Sequence, residues 1–413
     1  MKLSGIETHE HLQAIKKGMV MNMNNKNWVS VWGNAVSIAE HHPEAYAKYI
    51  TLRYPVYIPF AGDTLRFTFD NYCGSEAVTV TRATVSAATS PVYEKMPLAC
   101  PCKKETICDI TFSKNESVTM EAHQTAVSDP VSFPVKKGMT LTVSLYFADF
   151  TLMQSAVLVT GPLSKGFFSL GDQTHGKSLP MNDTKTTNWF YFLSNIELMT
   201  SEENHTVICY GDSITAGAWP DYLTLLARQN PDNHTAFIRR ATSGSRVLRQ
   251  YECITYDSYG LKGTNRFPHE IPTTGADTVI IQQGINDIIH PVGIETNPFR
   301  PMSDLPTAKE LIDGYRYYIE EAKKSHLKVY MGTLLPIFGW RTYATFRDDL
   351  RNELNAWIRS AKEIDGCIDF DLALRGSENP SAFREGFDSG DHLHPSSKAY
   401  QAMAECAYEV LRR

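Results

Sequence analysis

Two short segments of the sequence carry the side chains needed for nucleophilic catalysis. In "VICYGDSITAG", residues 207–217, mostly apolar residues lead into a run of small and polar ones that contains Ser213. In "DHLHP", Asp391 stands three residues before His394. A serine hydroxyl becomes a good nucleophile when a histidine takes its proton, and a carboxylate can orient that histidine. The spacing nominates Ser213 as nucleophile, His394 as base and Asp391 as the residue that orients it.

Each of these residues also has a simpler interpretation. Gly211-Asp212-Ser213 is a common turn sequence, and a strand often ends in such a turn. His392 competes with His394 for the role of base, but it directly follows Asp391, and adjacent residues rarely turn both side chains to one point. The choice depends on what the other strand ends carry.

Further residues could stabilise the charge that develops during attack on a carbonyl group. The resulting oxyanion needs two or three fixed hydrogen-bond donors. The candidates are the backbone N–H groups of Ser213 and Gly244 and the side-chain amide of Asn286. Taken alone, Gly244 is a plain turn glycine, Asn286 a turn or cap residue and Asp391 a helix-entry residue. Their joint occurrence, in order, after successive predicted strands favours a catalytic site.

Apolar segments and helical patterns alternate beyond residue 204. This alternation predicts an open parallel sheet with helices on both faces, and such sheets bind ligands at the carboxyl ends of their strands. Ser213, Gly244 and Asn286 each follow a predicted strand. The predicted strands are 207–210, 236–241, 278–283, 327–333 and 367–371, and the predicted helices lie near 219–229, 307–325, 345–363 and 396–411.

Residues 48–195 show a different pattern. Segments such as "TLRFTFD" and "LTVSLYFADF" have period-two or short apolar runs, separated by Gly, Pro, Asp and Asn. This spacing predicts an antiparallel, jelly-roll-like β-sandwich. "TSEEN", residues 200–204, is a short polar joint. The predicted domains are a β-sandwich at 48–200 and an α/β domain at 201–413, preceded by a segment at 1–47 that is partly packed on one of them.

Composition excludes several classes of partner. The 413 residues include 40 basic and 46 acidic side chains, a net charge of −6 without long charged runs. Such a chain has no positive electrostatic field that would attract nucleic acid or an anionic membrane. The first 20 residues have acids and histidines where a signal peptide would have its apolar core, and no stretch reaches the ~20 apolar residues of a membrane span. We therefore expect a cytoplasmic protein.

The cysteines could point to a metal site but favour free thiols. Of eight cysteines, only Cys100, Cys102 and Cys108 cluster, in "CPCKKETIC". This cluster lacks a fourth cysteine or a nearby histidine at zinc spacing. No metal is expected.

Taken together, the motifs resemble those of one enzyme family. Gly211-Asp212-Ser213, Gly244, Gly284-x-Asn286-Asp287 and Asp391-x-x-His394 follow the order of the four signatures of the SGNH (GDSL-type) serine hydrolases. Phrases such as "WVSVWGNA", "LNAWIRS" and "DHLHP" also resemble a two-domain bacterial subgroup that has a β-sandwich ahead of the hydrolase. The resemblance covers residues 26–411.

The resemblance implies a flavodoxin-like hydrolase domain with a five-stranded parallel sheet and the roles already nominated for the candidate residues. It implies no metal or organic cofactor, because Ser, His and Asp complete the reaction with water. Two departures occur. Ile214 replaces a leucine, and the stretch "RRATSGSR" carries Arg239 and Arg240 where the subgroup often has an asparagine and extra glycines. The second departure leaves the shape of the loop before Gly244 open.

The substrate is less constrained than the reaction. Loops such as "GAWPDY" and "PIFGWRTY" mix polar and aromatic residues, with Trp219 and Trp340 as candidate platforms for a sugar ring or an aryl group, or else as core residues. We expect short acyl esters, chiefly acetyl, on a small molecule or oligosaccharide. The alternatives are a lysophospholipase or thioesterase of longer acyl chains and a non-catalytic carbohydrate-binding protein. The oligomeric state is not predicted.

Overall fold

Two antiparallel sheets share one core in the amino-terminal half of the computed structural model, which describes residues 26–39 and 45–412. Strand order is β1-β18-β5-β10 in one sheet, with β11 also paired to β5, and β16-β15-β4-β12-β7-β8 in the other. The strands are β1 (Lys26–Gly33), β2 (Ser37–Ile38), β3 (Tyr46–Ala47), β4 (Ile50–Tyr57), β5 (Gly62–Asp70), β6 (Val78–Val80), β7 (Arg82–Ala87), β8 (Cys108–Ile110), β9 (Val118–Met120), β10 (Thr125–Val127), β11 (Val131–Val135), β12 (Thr140–Phe147), β13 (Thr151–Leu152), β14 (Ser155–Leu158), β15 (Gly166–Leu170), β16 (Lys185–Thr187), β17 (Trp189–Tyr191) and β18 (Leu193–Ser201).

Alternation of apolar and polar residues explains why these segments form a sandwich. In β5, Leu65, Phe67 and Phe69 are fully buried while the residues between them are partly exposed, as expected when successive side chains point to opposite faces. The central strand β12 is buried along its whole length. Hydroxyl groups on this strand form hydrogen bonds with neighbouring strands. For example, Thr142 Oγ1 lies 2.6 Å from Ser86 Oγ.

The amino-terminal segment joins this sandwich. Residues 1–25 and 40–44 of the predicted segment 1–47 lie outside the described residues. The described part includes β1, which pairs antiparallel with β18 from Lys26 to Gly33. This strand therefore belongs to the five-stranded sheet of the sandwich and also contacts the second domain.

The second half is an open, entirely parallel sheet in the order β20-β19-β21-β22-β23, with helices between the strands. This 2-1-3-4-5 order is the flavodoxin-like one, so the predicted fold classes of both halves are confirmed. The elements are β19 (His205–Gly211), β20 (Thr235–Ala241), β21 (Ala276–Gln282), β22 (Lys328–Gly332), β23 (Gly366–Ile368), α1 (Ser213–Ala216), α2 (Trp219–Arg228), α3 (Gly263–Glu270), α4 (Ile285–Ile289), α5 (Ala308–Lys324), α6 (Thr345–Ser360), α7 (Phe370–Leu374) and α8 (Ser397–Leu411).

Local sequence signals fix several of these helices. Helix α5 begins with a capping box in which Thr307 and Glu310 each accept the other's backbone N–H. Helix α8 begins where the Ser396 hydroxyl accepts from the backbone N–H of Ala399. Helix α3 was not predicted, because "GTNRFPHE" carries a proline and few apolar residues. No helix among the described residues has the length and apolar character needed to span a membrane.

The two halves are joined through a buried interface. Strand β1 runs beside β20, and the backbone N–H of Ser30 donates to Thr274 O at 2.9 Å. Arg240, only 7% exposed, donates from Nη1 to Asn34 O at 2.7 Å and to Ser194 O at 3.0 Å. Arg239 is equally buried and bonds to Ser164 Oγ at 2.8 Å. The two arginines that depart from the resemblance therefore tie the sandwich to the parallel sheet.

Candidate active site

The chain leaves β19 on a serine because Gly211 and Asp212 allow a tight exit. A side chain at Gly211 would place its Cβ 2.3 Å from Gln282 O on the neighbouring strand, so only glycine permits this close approach. Asp212 then caps the short helix α1, since its Oδ1 accepts from the backbone N–H of Ile214 at 3.1 Å. Ser213 is thereby held at the carboxyl end of β19, between β20 and β21.

The structure brings Ser213, His394 and Asp391 together. His394 Nε2 lies 2.9 Å from Ser213 Oγ, and His394 Nδ1 lies 2.6 Å from Asp391 Oδ2. Both distances are those of hydrogen bonds. The order serine, imidazole, carboxylate is the geometry of a nucleophile with a general base and an orienting group.

The loop before α8 holds the Asp391 carboxylate in place. Asp391 Oδ1 accepts from the backbone N–H groups of Leu393 at 3.0 Å and His394 at 2.8 Å, which leaves Oδ2 for the imidazole. Partial burial tends to raise the pKa of Asp391, but the hydrogen bonds from His394 and from these backbone groups outweigh it and lower the pKa to about 2. The carboxylate is therefore ionised over the whole physiological range.

His392 points elsewhere. Its Nδ1 pairs with Asp388 Oδ2 at 2.5 Å, and its ring lies so close to Gly339 that a Cβ there would come within 2.8 Å of it. The structure thus separates the two histidines that the sequence left in competition, and it places His394 at Ser213.

The three candidate oxyanion donors lie at the ends of three adjacent strands. Gly244 follows β20 with φ of +76°, and a Cβ there would meet the ring of Tyr259 at 2.3 Å. Asn286 lies in α4 after β21 and donates from Nδ2 to Ser245 O at 3.1 Å. An amide nitrogen has two hydrogens, so one remains for a ligand. Within the described chain, no protein acceptor takes the backbone N–H of Gly244.

Comparison with protein families shows which family the carboxyl-terminal domain belongs to. Residues 209–402 match the model of the GDSL-like lipase/acylhydrolase family. The carboxyl-terminal domain is a GDSL-type hydrolase. Residues 209–402 therefore form an ester-hydrolase domain of the SGNH type, as the resemblance implied. The search of curated proteins gave no match.

Several solved structures are similar to the GDSL domain at low identity. A GDSL-like lipase from Bacteroides thetaiotaomicron is 20% identical, with 51% of this chain and 88% of that chain covered and a TM-score of 0.38. A member of the lipolytic G-D-S-L family from Veillonella parvula is 18% identical, with 51% and 99% covered and a TM-score of 0.34. A catalytic mutant of an acetylxylan esterase from Geobacillus stearothermophilus is 15% identical, with 50% and 93% covered and a TM-score of 0.36.

Two further carboxyl groups of the GDSL domain are buried close to the triad. Burial raises the pKa of Asp212 to about 7, and the neighbouring Asp287 carboxylate adds to the effect. Burial likewise raises the pKa of Asp287 to about 6, although it accepts from the backbone N–H groups of Val247 at 2.7 Å and Leu248 at 3.1 Å. These hydrogen bonds fix the loop that follows Gly244.

The expectation that Trp219 forms a substrate platform is wrong. Trp219 is 0% exposed and packs against Phe370 in the core of the GDSL domain, with its indole N–H 3.3 Å from Thr215 Oγ1. Trp219 is the first residue of α2 and lies on the buried side of this helix. A single tryptophan in the sequence does not show which side of a helix is buried. Trp340 is partly exposed and carries the Arg341 guanidinium 4.6 Å from its ring, so it remains a candidate.

A cleft between the two domains adjoins residues 242–245, the loop that follows β20, carries Gly244 and is called the oxyanion loop below. It is small, with a cavity volume of about 30 Å³, and is referred to below as the interdomain cleft. Trp189 and Tyr259 stand on opposite domains, and Tyr259 also contacts Gly244. The sequence did not single out either residue, although "NWFYF" and "ITYDSYG" are both rich in aromatic residues. The lining residues include Ser37, Val157 and Trp189 from the sandwich and Thr242, Ser258 and Tyr259 from the GDSL domain.

The cysteine cluster lies away from this site, in the sandwich. Cys100 and Cys102 are buried, Cys108 is partly exposed, and all three are free thiols. Burial raises the pKa of Cys100 to about 12, so this thiol stays protonated and a poor metal ligand. Among the described residues, no group of three or more His, Cys, Asp or Glu side chains is arranged to hold a metal ion.

Proposed function

We propose that the protein hydrolyses short-chain acyl esters, chiefly acetyl esters of carbohydrates, through an acyl-enzyme on Ser213. The observation that carries this proposal is the hydrogen-bonded series Ser213, His394 and Asp391, at 2.9 and 2.6 Å. A serine and histidine at this distance can exchange a proton without rearrangement.

The first half of the reaction forms the acyl-enzyme. Ser213 Oγ attacks the ester carbonyl carbon while its proton passes to His394 Nε2, and the ionised Asp391 stabilises the resulting imidazolium. The carbonyl oxygen becomes an oxyanion, which accepts from the backbone N–H groups of Ser213 and Gly244 and from Asn286 Nδ2. When the tetrahedral intermediate collapses, the C–O bond to the alcohol breaks. The alcohol leaves with the proton held by His394.

The second half repeats these steps with water. His394 Nε2 takes a proton from a water molecule as its oxygen attacks the acyl carbon, and the same donors stabilise the second oxyanion. Collapse breaks the bond to Ser213 Oγ, which regains its proton from His394. The products are a carboxylic acid and the free enzyme, so no cofactor enters the balance.

The lining of the interdomain cleft supports a sugar as the alcohol component. Aromatic rings stack on the apolar faces of sugars, and hydroxyl groups near them bind sugar hydroxyls. The cleft offers the partly exposed side chains of Trp189, Ser258 and Tyr259. Because both domains contribute, the sandwich supplies part of the substrate site and is more than a separate module.

An acyl-length series tests the proposal. The kcat/KM values for acetyl, butyryl and octanoyl esters of p-nitrophenol should fall in that order, with acetate released from an acetylated xylo- or manno-oligosaccharide. An apolar acyl tunnel gives the opposite slope, since each buried CH₂ contributes up to about 0.8 kcal/mol. Rising values toward octanoyl, without acetate from the oligosaccharide, would instead identify a lipolytic or thioesterase-like enzyme.

A further inference from the structure

Arg300 has an unusual environment for a buried cation. It is 8% exposed, and its Nε is buried without a hydrogen-bond partner. Within the described part of the chain, no carboxylate pairs with it. The other buried arginines donate to oxygen atoms of the protein; Arg246, for example, pairs with Asp304 at 3.0 Å, and Arg351 with Asp371 at 2.8 Å. A guanidinium has five N–H donors, and the Nε–H of Arg300 is buried without an acceptor, which is costly.

Three tyrosines support the face of this guanidinium. The Arg300 Cζ atom lies 4.3 Å from the ring centre of Tyr256, 5.7 Å from that of Tyr251 and 5.9 Å from that of Tyr259. Cation–π contacts of this kind stabilise the charge through the faces of the rings. The rings orient the guanidinium, but they provide no hydrogen-bond acceptor for the N–H groups at its edge.

The backbone holds Arg300 in this position. Its carbonyl oxygen accepts from the N–H groups of Val292 at 2.9 Å and Gly293 at 3.0 Å, and its own N–H donates to Asn297 O at 3.0 Å. The Asn297 side chain in turn donates to the Tyr256 hydroxyl at 2.7 Å. The guanidinium and its closest ring therefore belong to one hydrogen-bonded unit.

This unit adjoins the oxyanion loop. Tyr259 contacts Gly244 on one side and stacks on His290 on the other, with 5.3 Å between ring centres. His290 is the residue that follows α4, the helix that carries Asn286. Tyr259 thus contacts Gly244, and its ring centre lies 5.9 Å from Arg300 Cζ.

The charges of three arginines act on His290. Burial lowers the pKa of His290 well below its usual value, and the nearby charges of Arg300, Arg246 and Arg341 lower it further. His290 is therefore neutral. Asp304 neutralises Arg246, whereas Arg341 is exposed on Trp340. Arg300 is therefore the buried cation of this group that has no carboxylate partner among the described residues.

We propose that Arg300, supported by Tyr256 and Tyr259, binds an anionic group, carboxylate or phosphate, on the sugar that carries the acyl ester. The planar edge of a guanidinium matches the oxygens of either group. The inference rests on the proposed function and narrows its substrate class to acyl esters of acidic sugars. Binding supplies the acceptors that the N–H groups of Arg300 lack.

Matched acetyl esters test this inference. The substrates are monoacetylated methyl glucoside, the corresponding glucuronide and the corresponding 6-phosphate, and the measurement is acetate release. We expect kcat/KM to be about 10- to 100-fold higher for at least one acidic sugar, the typical effect of a charge-assisted hydrogen-bond pair. The preferred sugar identifies carboxylate or phosphate as the bound group. Arg300→Gln should abolish the preference, and Arg300→Lys should restore part of it.

Arg249→Gln is the control, because Arg249 is a nearby exposed cation 3.5 Å from Asp304. It should retain the preference. Equal kcat/KM for all three sugars in the wild-type protein overturns the inference alone, as does a preference that persists in Arg300→Gln. Hydrolysis of p-nitrophenyl acetate without acetate release from any sugar overturns the carbohydrate proposal and the inference together. If Arg300→Gln does not fold, the wild-type comparison decides.

Discussion

Arg239 and Asp221 form an ion pair of 2.8 Å whose two side chains are almost completely buried at the junction of the two domains. Asp221 also accepts from the backbone N–H of Leu163 at 2.8 Å and from Ser164 Oγ at 2.9 Å, both in the sandwich. Arg239 donates to Gly217 O, directly after the helix that begins at Ser213. The pair therefore links the sandwich to the segment that carries the candidate nucleophile.

Arg239→Met should destabilise the protein strongly. The change leaves the Asp221 carboxylate buried without its cation, and breaking a buried pair in this way typically costs roughly 3–5 kcal/mol. Adding Asp221→Asn should recover part of the loss, since the amide oxygen can still accept from Leu163 N and Ser164 Oγ. Denaturant unfolding of the single and double variants measures both effects. A change within about 0.5 kcal/mol for Arg239→Met would show that the pair contributes little.

Ser213→Ala should reduce kcat by about 10⁴- to 10⁶-fold, because no other group can accept the acyl chain. A fluorophosphonate should label Ser213 of the wild-type protein and abolish hydrolysis of p-nitrophenyl acetate, as peptide mass analysis can show. Ser243→Ala, a change to another serine of the same region, is the control and should leave labelling intact. Labelling of a different serine, with Ser213→Ala still active, would falsify the assignment.

Asn286→Ala should lower kcat by roughly 10²- to 10³-fold with little effect on KM, because an oxyanion donor acts mainly in the transition state. Steady-state kinetics with p-nitrophenyl acetate separates the two parameters. Asn286→Asp is a useful companion variant, since it keeps the size of the side chain but replaces the donor by an acceptor. A rise in KM at constant kcat would make Asn286 a substrate-binding residue instead.

The buried Asp212 predicts a specific dependence of stability on pH. Its pKa in the folded protein, about 7, lies above the ordinary value of 3.8, so the folded state binds the proton more tightly than the unfolded state does. Its contribution to stability is therefore fully present below pH 3.8 and is lost as the pH rises to 7. The slope is at most about 1.4 kcal/mol per pH unit.

Asp212→Asn removes this titration but can still cap α1. The free energy of unfolding of the variant should vary less between pH 4 and pH 7 than that of the wild-type protein. Asp287, with a pKa raised to about 6, acts in the same direction and keeps some slope in the variant. Urea unfolding at several pH values provides the comparison. An unchanged slope in Asp212→Asn would mean that Asp212 does not titrate in this range.

Trp189→Ala should weaken the use of an acetylated oligosaccharide about tenfold, mainly through KM, because the loss of an aromatic stacking partner costs ~1 kcal/mol or more. The effect should exceed that on p-nitrophenyl acetate, which carries no sugar. Trp28→Ala provides a matched control, since Trp28 packs against Arg66 in the sandwich and does not line the interdomain cleft. Equal losses in the two variants would indicate a general effect on the sandwich.

Much of the fold could be predicted because its determinants are local. The apolar period of two in β5 and the capping signals at Thr307 and Ser396 act over a few residues, so they are visible in the sequence. The same holds for the order of the motifs at the strand ends. The sequence also limited the base to His394 or His392, because only these two histidines lie near Asp391 before the last helix.

Tertiary structure decided which side chains face the site. The sequence alone does not show that Trp219 and Trp189 have different environments. Trp219 is fully buried in the core, whereas Trp189 lines the interdomain cleft. Arg239 and Arg300 are likewise both buried arginines, and only the first meets a carboxylate. Periodicity determines that a residue lies on a strand or helix, but exposure and partners depend on contacts between segments far apart in the chain, which no local pattern contains.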